Sequence, residues 1–454
     1  MRTAPRAFSA WLTLALVLVL GTLAFAQPIT AETKQAVLDQ LRKVVNERAY
    51  TASVDFNKLD QHLAKHQDAI DRAVDARAFS TAVNKALREF KISHFRLLTP
   101  LTATNRRSTE RVGIGVAARK TDDGLVLQDI VEGGPAEHAG LRQGDLIIRI
   151  DSEPAVSTEP LAGAEGSTLL LTVRRADGDT TEDITVTRGK FQTRRPESLV
   201  TTAPGRAVMR IPTFSVGYDA RAIESLFKQL KDQQVTLLVL DLRSNGGGRV
   251  TNLNHLLSFF LERDTDIGTN ISRTLSRRYQ EQTKGDPTDA VAIAKWTRAN
   301  FRIRAQQQSR FTGRVAVLID RNSASASEIA ATALRELRTA PLVGTPSAGA
   351  VLVSTHLPLS QGWELQFPLS DYVSIKGVRL EAHKIQPDST ITGPRSKDPA
   401  IDPCVIKAFE LLASLPPEPA RAPAAPSDPK PAAPEPAPTP ADPATSRPEP
   451  ATAP

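Results

Sequence analysis

Hydrophobic and polar positions change their period along this chain. Between Thr30 and about Lys91 the apolar residues recur at helical spacing: Val37, Leu38, Leu41, Val44 and Val45, then Phe79, Ala82, Val83, Ala86, Leu87 and Phe90. This predicts a small helical N-terminal unit, residues 27–105, in which the helices give way to Ile92-Ser93-His94-Phe95-Arg96-Leu97-Leu98. From about Val112 to Gly189 the pattern shortens to alternating segments between glycine turns, including Thr168–Val173 and Asp183–Val186. A small β-rich domain over residues 106–192 follows from it. From about Arg206 to Ala413, the continuous apolar runs Val235–Leu240, Val315–Ile319 and Leu342-Val343-Gly344 alternate with helical stretches at Leu253–Leu261 and Ser325–Leu337. Buried strands alternating with helices predict an α/β layer with mostly parallel strands, residues 193–414. Asp264–Arg310 is charged and reads as a partly helical insertion.

The two ends depart from these patterns. Arg2 and Arg6 precede an apolar run from Trp11 to Phe25, and Ala24-Phe25-Ala26 supplies small residues around a cleavage point. Residues 1–26 therefore read as a secretory signal peptide, too short for a membrane span and without the cysteine of a lipoprotein signal. At the other end, 15 of the 33 prolines fall within residues 415–454. Such a Pro/Ala-rich tail cannot bury apolar surface and is expected to be disordered.

Composition narrows the function classes. The single cysteine, Cys404, excludes an intrachain disulfide and a cysteine-based zinc site. With 5% aromatic residues and no basic–aromatic interleaving, the net charge of +7 does not indicate a nucleic-acid binder. Removal of Arg2 and Arg6 would leave +5, a mild surplus to which no partner is assigned. The histidines show no metal-ligand spacing, so no metal or cofactor is expected.

Two segments carry chemistry. In Val315–Ile329 a buried strand turns at Asp320-Arg321-Asn322-Ser323-Ala324 into an alanine-rich helix, placing Ser325 at its N-terminus. A hydroxyl there stands beside backbone amides able to face an oxyanion. Ser325-Ala326-Ser327-Glu328 equally fits a helix-capping box. The second segment, Asp241-Leu242-Arg243-Ser244-Asn245-Gly246-Gly247-Gly248, follows a strand and can point amides at an anion. It lacks the Gly-Lys-Ser/Thr of a phosphate loop.

The order Gly113-Ile114-Gly115-Val116, Gly133-Gly134-Pro135-Ala136 and Ala139-Gly140-Leu141-Arg142-Gln143-Gly144-Asp145 closely resembles a PDZ domain. Residues Gly113, Ile114, Gly115 and Val116 would bind a peptide's C-terminal carboxylate while an edge strand pairs with the peptide. Together with the Asp241–Gly248 and Ser323–Glu328 motifs, this unit makes residues from about Val54 to Ala413 resemble the C-terminal processing (tail-specific) serine peptidases. The resemblance implies a crotonase-like α/β core (ClpP/crotonase type) with an inserted PDZ domain. It also implies Ser325 as nucleophile and an oxyanion hole from the amides of Ala326 and Gly247.

One departure bears on mechanism. Members with a Ser-Lys dyad carry the lysine 25 residues after the serine, where this chain has Ala350. Alanine cannot activate a hydroxyl. The branch resembling the tricorn core protease and the chlamydial protease-like activity factor uses a Ser-His-Glu triad instead. Its positions correspond to His94, just before the PDZ unit, and to Glu381 in Leu380-Glu381-Ala382-His383-Lys384-Ile385-Gln386-Pro387-Asp388. His356 and His383 stand as rival bases, and Lys376 and Lys384 as rival lysines. The expected protein is an exported, periplasmic or extracellular serine endopeptidase that takes unfolded or C-terminally exposed polypeptides. The rivals are an inactive relative that binds peptides through its PDZ domain and a carrier of apolar ligands.

Overall fold

The computed structural model describes residues 28–416, apart from 177, 179, 194, 298, 299, 306, 308, 309, 394 and 397. The expected leader lies outside these residues, as does the tail beyond 416.

The N-terminal segment forms α1 (Ala31–Arg48), α2 (Leu59–Lys65), α3 (Gln67–Asp71) and α4 (Ala76–Arg88), then β1 (Arg96–Leu98) and α5 (Pro100–Arg106). Side-chain caps set the starts of α1 and α4: Thr30 accepts from the Thr33 amide and Asp75 from the Ala78 amide. The apolar faces read from the sequence are the buried ones.

The second segment holds β2 (Glu110–Gly113), β3 (Val116–Thr121), β4 (Gly124–Ile130), α6 (Pro135–His138), β5 (Leu146–Ile150), β6 (Glu153–Pro154), β7 (Thr168–Arg174), β8 (Thr181–Thr187) and β9 (Gly189–Gln192). An antiparallel sheet runs β3-β4-β5-β7-β8, with β6 on β5, around a core of its own that includes Ile114, Leu125, Leu127, Ile147 and Leu171. β3 lies at one edge of this sheet, paired to β4 alone.

The remainder is built from β10 (Ser198–Ala203), β11 (Arg206–Arg210), α7 (Ala220–Asp232), β12 (Leu237–Asp241), α8 (Val250–Leu257), β13 (Asp266–Ser272), α9 (Arg273–Thr283), α10 (Ala290–Trp296), β14 (Phe301–Arg302), β15 (Arg314–Ile319), α11 (Ala326–Arg338), β16 (Leu342–Gly344), β17 (Leu352–Pro358), β18 (Glu364–Ser374), β19 (Ser389–Thr390) and α12 (Pro403–Ser414). One sheet has the order β10-β11-β12-β15-β16-β19, parallel except for the β10–β11 pair. Its central strands are buried along their length, which is why they read as unbroken apolar runs. α7, α8 and α11 bury Phe227, Leu256 and Leu334 in one cluster with Leu240 and Val317.

A second, antiparallel sheet was not foreseen from the sequence. It orders β1-β18-β13-β14, with β17 also on β18. The charged stretch Asp264–Arg310 does contain two helices, but it opens with β13, a strand of this sheet. The long strand β18 serves two cores. Leu365 and Phe367 pack with α1–α4, whereas Tyr372 joins the cluster of the parallel sheet. The N-terminal helices thus complete their core with residues about 270–330 positions later in the chain, and β1 is held in antiparallel register, Arg96 opposite Gln366.

Phe367→Ala is expected to cost about 3–5 kcal/mol, the usual range for emptying a fully buried aromatic site. In denaturant unfolding, the helical segment and the Tyr372 core should lose structure in one transition. Separate transitions would contradict the shared role of β18.

Candidate active site

Ser325 stands between β15 and α11 with φ 56° and ψ −118°, a conformation rarely adopted by a residue with a side chain. Its surroundings over-determine it. The Ser325 amide donates to Ala350 O at 3.0 Å and to Glu328 Oε2 at 3.1 Å, while its carbonyl accepts from the amides of Glu328 and Ile329. Glu328 is fully buried. It also accepts from Ser347 Oγ at 2.5 Å, Gly349 N at 2.8 Å and Ala350 N at 3.0 Å. Burial pushes its carboxyl above the usual range, and these hydrogen bonds pull against that rise. Ser325 itself is half-buried.

The glycine-rich loop is clamped against the serine. Burial alone would raise the Asp241 carboxyl, but the guanidinium groups of Arg243 and Arg395 hold it below its ordinary value. Arg243 reaches Asp241 at 2.9 Å and Asp402, ahead of α12, at 3.0 Å. This motif arginine is therefore a buried strut between two carboxylates. Asn245 is wholly buried. Its side chain donates to Ile211 O, and its carbonyl accepts from Ala324 N and Ser327 Oγ.

Gly247 has φ 88°, and a Cβ there would lie 2.7 Å from both Ala324 O and Ser325 Cβ. No side chain fits. The expected role of its amide needs correction, however. Gly247 N donates to Asn245 Oδ1 at 2.9 Å, so in this conformation it is not offered to an oxyanion. Ala326 carries the first amide of α11, which has no acceptor within the helix.

His94 and Glu381 come to the same place from opposite ends of the chain. Glu381 is 2% exposed. Its Oε2 accepts from Val351 N at 2.8 Å, next to the Ala350 that binds the Ser325 amide. The glutamate makes no hydrogen bond to the imidazole. Ser93 stands between them: its amide donates to Glu381 Oε1 at 2.7 Å, its Oγ donates to Oε2 at 2.8 Å, and the same Oγ lies 2.6 Å from His94 Nδ1. Sequence reasoning missed this serine. The signal available was its place immediately before the candidate base. Ser325 and His94 are not hydrogen-bonded to each other in this conformation.

The rival groups sit elsewhere. His383 is exposed, with Nδ1 2.9 Å from Glu381 O. Lys376 and Lys384 are exposed. His356 lies in β17 opposite Gln366, and its Nε2 is buried without a partner. In the β-rich segment, the carbonyls of Ile114 and Gly115 accept from Ala136 N and Val131 N at 2.8 Å, leaving their own amides without protein acceptors among the described residues. Gly113 pairs with Gly189, Ile114 is buried, and Val116 begins the edge strand β3. Among the described residues no group of three or more His, Cys, Asp or Glu could hold a metal ion, and no helix is long and apolar enough to cross a membrane.

Comparison with known proteins agrees with this layout. Residues 206–391 match the model of peptidase family S41, and residues 112–187 match that of the PDZ domain. A probable CtpA-like serine protease of Staphylococcus haemolyticus is 26% identical over 303 residues, covering 65% of this chain and 56% of the relative. The tail-specific protease of Haemophilus influenzae is 28% identical over 296 residues, covering 61% and 39%. The chain thus spans about half or less of the length of these relatives. The solved structure of mature CPAF complexed with lactacystin shares the fold, with a TM-score of 0.51 at 14% identity over 84% of this chain and 97% of that one.

Burial foremost, then the charge of Arg96 and the nearby His356, lowers the His94 pKa from the usual 6.5 to about 4. The imidazole is therefore neutral at pH 7. In an NMR titration its midpoint should lie near 4. Because the unfolded chain takes up this proton near 6.5, stability should fall as pH drops from about 6.5 to about 4. A midpoint near 6.5 would contradict the buried, positively flanked environment.

Proposed function

We propose that this chain, which carries an S41 peptidase domain preceded by a PDZ domain, is an exported serine endopeptidase whose nucleophile is Ser325 and whose base is His94. The observation that carries the reading is the Glu381–Ser93–His94 relay, tied to Ser325 through Ala350 and Val351. An ionised carboxylate can only accept, so the Ser93 hydroxyl must donate to Glu381. Its remaining lone pair then accepts from His94 Nδ1–H. That fixes the tautomer whose Nε2 lone pair is free to take a proton.

The chemistry follows. Ser325 Oγ attacks the scissile carbonyl as its proton passes to His94 Nε2, and His94 then returns the proton to the leaving amine. Ser93 and Glu381 stabilise the imidazolium without receiving its proton. The Ala326 amide donates to the tetrahedral oxyanion, a contribution of about 2.7–4 kcal/mol by comparison with other sites. A second donor from the glycine loop requires Gly247 N to leave Asn245 or a neighbouring amide to turn inward. Ala350, in place of a dyad lysine, is consistent with a histidine base.

The same reading takes the parallel layer as a crotonase-like core, supported by its β11-β12-β15-β16 order with intervening helices. Substrates are unfolded or C-terminally exposed polypeptides. The free Ile114 and Gly115 amides beside edge strand β3 support capture of a chain end by the PDZ unit. Export rests on residues 1–26.

Degradation of an unfolded protein tests the assignment. Ser325→Ala and His94→Ala are each expected to abolish cleavage. Ser93→Ala and Glu381→Gln should lower kcat by up to about 10⁴-fold with little change in KM, as loss of the orienting group does in a Ser-His-Asp triad. Cleavage unchanged in His94→Ala would move the base elsewhere. No cleavage by the unmodified protein across several substrates would favour the inactive, peptide-binding relative.

A further inference from the structure

Two residues past the candidate base, the β1–β18–β17 sheet carries a polar row that the mechanism does not use. Arg96, Gln366 and His356 are direct register neighbours across the three strands, so their side chains share one face. The next row, Leu97, Leu365 and Leu357, turns to the opposite face and packs with the N-terminal helices. One row further on the polar face, buried Glu364 accepts from both Arg106 and Arg107.

The charges do not balance. Arg106 and Arg107 share the carboxylate of Glu364 between them. Arg96 Nε donates only to the neutral Gln366 Oε1, at 2.8 Å, and no carboxylate among the described residues pairs with this exposed arginine. Beside it, His356 Nε2 is buried without a hydrogen-bond partner. Folded proteins seldom leave such a nitrogen unmatched, so it is open to a polar partner. Arg96 and His356 are both close enough to act on His94 electrostatically. A base that returns its proton to the leaving amine stands against the leaving-group half of the substrate. The row beside it therefore meets residues on the C-terminal side of the cut.

We infer that Arg96, with His356 next to it, forms a carboxylate-binding subsite on the leaving-group side, so that preferred substrates present a carboxylate just beyond the scissile bond. The carboxylate comes either from an Asp or Glu side chain or from the chain's free C-terminus. The inference rests on the peptidase reading for its position relative to the cut.

Binding to the uncleaving Ser325→Ala protein separates the two ideas. Three short fluorescent alanine-based peptides serve as probes: one with a central Gln and an amidated end, one with Glu in its place and an amidated end, and one with Gln and a free C-terminus. Fluorescence anisotropy is expected to show the Glu peptide, the free-acid peptide or both binding about tenfold more tightly than the neutral peptide. Which of them gains identifies the source of the carboxylate. Adding Arg96→Met should remove that gain and leave the affinity for the neutral peptide unchanged, which also reports an intact fold. Because a PDZ unit retains its own hold on a free C-terminus, only the part of the gain lost with Arg96 counts. Equal affinities for all three peptides, or a gain that survives Arg96→Met, would overturn the subsite. Charge-dependent binding that is lost with Arg96, in a protein whose unmodified form cleaves nothing, would sustain Arg96 as a carboxylate site but overturn the peptidase reading and, with it, the site's place beyond a scissile bond.

Discussion

The site depends on two buried glutamates acting as hydrogen-bond acceptors. Glu328, on the first turn of α11, gathers Ser347, Gly349, Ala350 and the amide of Ser325. Glu381 takes the next amide along, Val351, and also holds Ser93. The loop entering β17 is therefore pinned residue by residue between the serine and the histidine. A buried carboxylate without such donors would be costly, so these bonds are obligatory once the side chains are inside. They also account for the backbone of Ser325, which would relax if the surrounding acceptors and donors were absent.

β18 links the segment that carries His94 to the parallel layer that carries Glu328. One end of that strand closes the core of the N-terminal helices, and the other is packed into the core of the parallel layer. β1 pairs with it, and β1 follows His94 directly. His94 is thereby placed by strand pairing across most of the chain length, and the helices before it serve as the packing that holds β1 in register. The buried Asp241–Arg243–Asp402 network does a similar job for the glycine loop, joining it to the start of α12.

Much of this was legible in the residues. The helical faces of α1 and α4, the buried strands β12 and β15 and the turn before α11 all follow from local pattern. The two-motif constellation, with alanine at position 350, directed attention to His94 and Glu381. Less legible were the antiparallel sheet and the intervening Ser93. β1 has three residues and β14 two, too few for a period to show, and β13 lies in a stretch whose charge conceals it. The Gly247 amide was assigned to an oxyanion, whereas Asn245, two residues earlier, accepts it.

By itself, the sequence determined which segments bury which faces, where helices begin and which residue types with catalytic chemistry are present. These are properties of spacing, side-chain volume and hydrogen-bonding capacity within a few neighbouring positions. Only the tertiary structure decided that a serine hydroxyl stands between Glu381 and His94, that Arg243 is a strut, and that Arg96 bonds the neutral Gln366 and no carboxylate among the described residues. Each of those depends on which distant groups satisfy a buried donor or acceptor. Local pattern carries no record of that pairing, because it is set by strand register and packing between segments hundreds of residues apart.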